Sequence, residues 1–315
     1  MTSLNLGRRI PQSLLVLLGV SVVAFALIHL VPGDPARISL GPRAPEQAVL
    51  QARHSLGLDK PLITQYWDFI SGAVHGNFGY SLIQHASVAS ILGPRIAPSL
   101  LLLAYATVLS IILAVPLGLY SALRRDRVPD HVIRVVTMVT FAMPSFWLAL
   151  VLVELLALRG HVFPVSGYGG TIPDKLRDLT LPALTISLYL APMLIRTLRS
   201  SVIDVLGSDF VEAARARGLS ERRVITKHVL RNASIATVTV LAVNLGFLIS
   251  GTVVVEVVFD IPGLGSLIVN AVEQRDFPLV SALTLIFGFI VIVVNLLADL
   301  AYAVIDPRVR QASAA

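Results

Sequence analysis

The sequence contains no cysteine. That removes disulfides, thiol chemistry and cysteine-based metal sites, though it does not fix a compartment. Charge is scarce as well: 14% of the 315 residues are Asp, Glu, Lys or Arg, against about 25% in soluble globular domains. There is no Gly-x4-Gly-Lys-Ser/Thr loop to cradle the phosphates of a nucleotide. The seven histidines, His29, His54, His75, His85, His131, His161 and His228, are scattered, without the H-x3-H or HExxH spacing that holds zinc. What remains is apolar, with 55% hydrophobic residues and a mean hydropathy of +0.80. A pI near 10.0 would ordinarily raise nucleic acid as a partner. Here the basic residues sit at the ends of apolar runs, which a lipid bilayer explains and nucleic acid does not.

A spanning helix needs roughly 20 apolar residues to cross about 30 Å of hydrocarbon. Charge-free runs near that length are Ile10–Val31, Ile96–Leu123, Val135–Val153, Leu179–Ile195, Asn232–Val255 and Phe277–Ala298. They predict six crossings, with Leu179–Ile195, at 17 residues, the shortest. The first run follows Arg8 and Arg9 as a signal peptide would. Its 22 residues exceed an h-region of about 7–15, and "HLVPGDPA" after it offers no small-x-small cleavage site, so it reads as a retained span. With the N-terminus inside, 16 Lys and Arg residues fall on the inner side and 9 on the outer, the asymmetry of cytoplasmic loops. Both termini are then cytoplasmic.

The chain divides accordingly into a cytoplasmic N-terminus (1–9), a first transmembrane helix (10–31) and an extracytoplasmic region (32–95). A five-helix core (96–305) follows, then a cytoplasmic tail (306–315). Within 32–95, "PLITQYWDFISGAVHG" is amphipathic, and Tyr66, Trp67 and Phe69 suit the headgroup zone. Asn244 in the fifth run is expected to hydrogen-bond between helices. "IPGLGSL" (Ile261–Leu267) with Arg275 and Asp276 fits either an outer docking surface or a structural turn.

One segment breaks the apolar pattern. "VEAARARGLSERRVITKHVLRN", Val211–Asn232, carries six Lys or Arg and two Glu between charge-free stretches. Asp209 can cap a helix, with Glu212 in the reciprocal position three residues on. Gly218 suits a left-handed stop, and Ser220 can cap a second helix. Two short helices with a bend at Gly218 result. Ala213 and Ala214 keep one surface low, so that another backbone can approach. A docking surface and a solvated helical hairpin both fit these residues.

Glu212-Ala213-Ala214, three residues, Gly218, nine residues, then His228-Val229-Leu230-Arg231 resembles the EAA loop of ABC-importer membrane subunits. The usual ending is Ile-x-Leu-Pro; here Arg231 stands at the proline position and His228 at the first. That variant, with "HLVPGDP", "PSFWLAL", "VVEVVFDIPGLGSLIVNAVEQRDFPLV" and "DLAYAVIDPRVR" in order, is similar to the B-type subunit of dipeptide and oligopeptide permeases. The resemblance implies an all-α integral membrane protein of the prokaryotic plasma membrane, with six transmembrane helices and a cytoplasmic coupling helix in loop 208–231. It implies a non-catalytic subunit working with a second homologous permease subunit, two ATP-binding subunits and an extracytoplasmic substrate-binding protein. ATP and Mg would be bound by those partner ATPases and not by this chain. On this resemblance Glu212 caps or hydrogen-bonds within the loop, Ala213 and Ala214 allow close approach, and Gly218 makes the bend. Arg215, Arg217 and Leu219 contact the ATPase. The substrates implied are di- or oligopeptides, with nickel chelates or glutathione as alternatives. An ion-coupled secondary transporter would favour intramembrane titratable groups and inverted repeats, and the sequence displays neither.

Overall fold

The computed structural model describes residues 6–30, 33–41 and 43–305. The tail 306–315, residues 1–5, Val31 at the end of the first run, Pro32 and Pro42 lie outside them. Helix α1 (Leu6–Leu30) is followed by three short helices, α2 (Pro35–Leu40), α3 (Glu46–Ser55) and α4 (Leu62–Val74). Asp34 caps α2 by accepting from the Ala36 N–H at 3.1 Å. A two-residue hairpin, β1 (Tyr80–Ser81) with β2 (Ala86–Ser87), pairs Tyr80 with Ser87 and Ser81 with Ala86. It leads into α5 (Val88–Leu123), then α6 (Val128–Ala142) and α7 (Ser145–Leu152), which continues as a π-helical segment Val153–Arg159. Next come α8 (Ile172–Leu206), α9 (Asp209–Ala216) and α10 (Glu221–Arg223). After the π-helical segment Val224–Val229 stand α11 (Leu230–Val258), α12 (Leu264–Glu273) and α13 (Phe277–Ile305).

Five helical stretches are long and apolar enough to cross a bilayer: Pro11–Leu30, Val88–Leu123, Ile172–Leu206, Glu221–Val258 and Phe277–Ala298. The third apolar run is not a straight rod. Val128–Ala142 and Ser145–Arg159 meet at 109° and make a sixth crossing only if taken as one bent span. Pro144 explains the break. Its ring disfavours helical geometry in the residue before it, and Met143 is extended at φ −79°, ψ 134°. Two other expectations shift because charge-free length is not helix length. The 17-residue run Leu179–Ile195 lies inside a 35-residue helix. The expected second short helix does not end, but runs from Glu221 straight through to Val258.

The chain forms two compact units. In the one built on residues 101–259, α8 is the axis. Leu179, Leu181, Leu190, Leu194 and Leu198 are buried along it, as are Pro182 and Pro192, which neighbouring helices make tolerable within a spanning helix. A Cβ on Gly118 would come within 3.1 Å of the Leu198 side chain and 3.2 Å of the Ile195 carbonyl, so α5 approaches α8 closely there. Phe141 of α6 stacks on Tyr189 of α8 at 5.6 Å. Among the described residues Asn244 does not bond across helices: its amide donates to the Val240 carbonyl of its own helix at 2.7 Å.

The other unit joins residues 5–100 to 260–293. Its core is Val88, Leu92, Leu264, Leu267, Leu279 and Leu283. The Tyr66 and Ser21 hydroxyls lie 2.8 Å apart, and Phe25 of α1 meets the rings of Tyr66 and Phe69 at 5.4 and 6.2 Å. These contacts hold α4 to α1, while Trp67 is 69% exposed, the aromatic left free for a headgroup zone. Ile261, Leu264, Leu267 and Asp276 are buried. The buried Ser81 hydroxyl donates to Asp276 at 2.5 Å, tying the hairpin to the start of α13. Leu264 and Leu267 belong to the first turn of α12, and Arg275 is left exposed.

Candidate functional site

Helix α9 is eight residues long, too short to be stable alone, so its position is set by packing. Val211 and Ala214, one turn apart on the same face, are buried. They join a cluster with Ala122 of α5, Leu198 and Val202 of α8, and Val224, Val229 and Ala233 from the start of the last-but-two helical rod. Each buried CH₂ in such a cluster contributes about 0.8 kcal/mol. The short helix is thereby fixed to the ends of three long ones.

The bend is a Schellman turn. Gly218 is left-handed at φ +78°. Its N–H donates to Arg215 O at 2.9 Å, and the N–H of Leu219 donates to Ala214 O at 3.3 Å. These are the paired bonds that close a helix at a C′ glycine. Leu219 is half-buried against the same cluster as Ala214, the apolar contact that accompanies the motif. Sequence reasoning placed this glycine and its conformation correctly.

The start of α9 differs from the expectation. Ser208, not Asp209, is the cap residue, and no side chain caps the helix. The Ser208 hydroxyl donates to Val205 O at 2.5 Å, and Asp209 is already helical. The capping box through Glu212 therefore does not form. Glu212 is exposed and its carboxylate has no partner among the described residues. Ser220 does stand at the start of the next helix, again without a side-chain cap bond.

The remaining expected site residues separate by face. Ala213 is exposed, whereas Ala214 is turned into the chain's own core, so only Ala213 offers the low surface expected of both. The Arg215 guanidinium donates to Glu221 at 2.7 and 3.4 Å, spanning the bend from one side to the other. It braces the turn. Arg217 is exposed with no side-chain partner among the described residues. The outward face thus presents Phe210, Glu212, Ala213 and Arg217, while Val211, Ala214 and Leu219 face inward.

Beneath the segment lies an ion pair that sequence reasoning missed. Asp130 of α6 is fully buried. It accepts from Arg199 Nε at 2.7 Å and Nη2 at 2.6 Å, from the Ser121 hydroxyl at 2.5 Å and from the Asp126 N–H at 2.9 Å. Both carboxylate oxygens are satisfied, as a buried charge requires. Ser121 and Arg199 each adjoin a member of the α9 cluster, Ala122 and Leu198. The clamp therefore fixes α5, α6 and α8 to one another beside the floor on which α9 rests. The available signal was a pair of acids, Asp126 and Asp130, in the otherwise basic stretch "RRDRVPDHVIR", with arginines at the corresponding end of a later apolar run.

Two solved structures share this fold. One is the inward-facing MetNI methionine ABC transporter, at TM-score 0.55 and 14% identity over 69% of this chain and 96% of that one. The other is an amino acid ABC transporter crystallised with histidines, at TM-score 0.51 and 15% identity over 75% and 97%. The helical membrane fold is that of ABC-importer permeases. Residues 114–311 match the family of binding-protein-dependent transport system inner membrane components, and residues 3–102 match the N-terminal part of the membrane component of such systems. A Brucella ovis protein named as a peptide permease is 40% identical over 93% of this chain and 95% of its own. The glutathione transport system permease protein of Escherichia coli K12 is 39% identical over 92% and 94%. The chain belongs to the binding-protein-dependent transport family as a multi-pass inner-membrane permease subunit of an ABC importer.

Proposed function

We propose that this permease imports di- or oligopeptides as one half of a pathway completed by a second, similar subunit. Two cytoplasmic ATPases, which hold the ATP and Mg, dock on the outward face of α9, and an extracytoplasmic binding protein delivers the substrate. The relatives named for peptide and glutathione transport support a substrate with a peptide backbone. Glutathione, itself a small peptide, is the second reading because a relative carries that name over nearly the full length.

The observation that carries the coupling role is the two-faced construction of α9. Its inner face is locked to the ends of three long helices, while Glu212, Ala213 and Arg217 stand exposed, Glu212 and Arg217 without a side-chain partner among the described residues. A motor that grips the outer face moves the helices attached to the inner one, switching the bundle between discrete packed states. The energetic link between ATP binding and pathway opening is then the attachment itself.

Gly218→Pro tests this reading in the reconstituted transporter. Proline is held near φ −65° and has no N–H, so it can neither adopt φ +78° nor donate to Arg215 O. The variant should insert at wild-type levels while losing the stimulation of ATP hydrolysis by loaded binding protein. Unaltered stimulation would remove α9 from the coupling path.

A further inference from the structure

A groove of about 340 Å³ runs between α6 and α8. The helices are antiparallel, with Asp130 against Arg199 at one end and Phe141 on Tyr189 at the other. The lining runs from Arg134 to Phe141 on one helix and from Pro192 to Arg199 on the other, so the groove is roughly 10 Å long. Its walls are formed by Met138 and Phe141 from one side and Pro192, Met193 and Ile195 from the other. Thr137 adds no free polar group, because its hydroxyl donates to the carbonyls of Ile133 and Arg134 at 2.8 and 3.0 Å.

The Asp130 end is basic: Arg134, Arg196 and Arg199 line the mouth. Asp126, which is paired with Arg125, also acts on Arg199, and the carboxylate that touches the mouth is Asp130. Its oxygens are already taken by Arg199, Ser121 and a backbone N–H, and Arg134 stands 3.7 Å from it. Arg134 also lies against His131 Nδ1 at 2.5 Å. Arg196 is exposed and has no side-chain partner among the described residues. The mouth is therefore short of negative charge in a chain that carries little charge anywhere.

A ligand that completes this groove needs an anionic head and an apolar tail. We propose that it holds one anionic phospholipid, with the phosphate on Arg196 and Arg134 and an acyl chain along Met138, Phe141 and Met193. A peptide carboxylate matches the mouth but leaves the apolar wall uncovered. Basic pockets between transmembrane helices on the cytoplasmic side take anionic headgroups, and the distribution of Lys and Arg puts these arginines on that side. The inference rests on the membrane orientation read from the sequence and not on ATPase docking, so its test uses no nucleotide.

The assembled transporter is equilibrated in nanodiscs holding equal amounts of phosphatidylglycerol and phosphatidylcholine, released into mild detergent, and weighed by native mass spectrometry. The wild type should retain phosphatidylglycerol in excess. R196Q should cut that excess about fivefold, the effect of one basic residue at an anionic surface. M138W, which fills the groove without touching its charge, should abolish it, while R177Q, an exposed basic residue outside the groove, should leave it intact. Equal retention of the two lipids by the wild type overturns the proposal, as does an undiminished excess in both R196Q and M138W. Displacement of the lipid by added dipeptide would assign the groove to substrate and overturn it equally.

Discussion

Gly218 and Asp130 act through opposite kinds of necessity. At Gly218 the space is open, since nothing lies within 4 Å of where a Cβ would stand. What demands glycine is the backbone at φ +78°, a region that costs other L-residues roughly 1–2 kcal/mol. At Asp130 the backbone is ordinary helix and the surroundings make the demand. Its carboxylate is fully buried, and the Arg199 side chain opposite is only 17% exposed. Removing one member of such a pair leaves a charge in low dielectric, which costs about 3–5 kcal/mol. Asp130→Ala should therefore lower the thermal unfolding midpoint of the detergent-solubilised protein sharply. Adding Arg199→Leu should restore part of the loss, because the orphaned charge goes with it. If the double variant were as unstable as the sum of the singles, the clamp would not be a coupled pair.

Elements in this chain end where backbone chemistry ends them, not where charge begins. Pro116, Pro182 and Pro192 sit inside continuous helices, but Pro144 stops one, and the difference lies in the preceding residue. Met143 has taken the extended conformation, and α6 and α7 meet at 109°. Alanine at 144 would supply an N–H and lift the restriction on Met143. In Pro144→Ala, spin labels at Val132 and Leu158, both exposed, should move apart toward the roughly 39 Å of a straight rod. Pulsed electron resonance reads that distance, and an unchanged value would mean that packing against α8 and α11 holds the bend without the proline. This is also where the sequence is least legible. Charge-free length located the long helices because only apolar side chains suit lipid. It could not distinguish a tolerated proline from a terminating one, nor show that Glu221 and Arg222 begin the same rod that ends at Val258. The left-handed stop at Gly218 was legible because it depends on one residue and its own helix. The division of Ala213 from Ala214, and the engagement of Arg215 with Glu221, depend on what lies across the bend, and adjacency in sequence does not carry that.

For the whole molecule, the proposed mechanism stands on sidedness: a motor can grip α9 only if that helix faces the cytoplasm. The 16 to 9 division of Lys and Arg favours this orientation, and the absence of cysteine makes it measurable without background. Single cysteines at Gln47 and Ser166, exposed and on the expected outer side, should react with a membrane-impermeant maleimide added to spheroplasts. Cysteines at Ala213 and Ser220, also exposed, should react only in inside-out vesicles. Ala213 carries a further condition. If its low surface lies under an ATPase, Ala213→Cys should label slowly in vesicles holding the complete transporter and quickly once the ATPases are stripped away. Gln47→Cys should be indifferent to that treatment. Labelling of Ala213→Cys from outside would invert the topology and remove the motor from α9. Equal labelling before and after stripping would keep the topology and move the docking surface elsewhere.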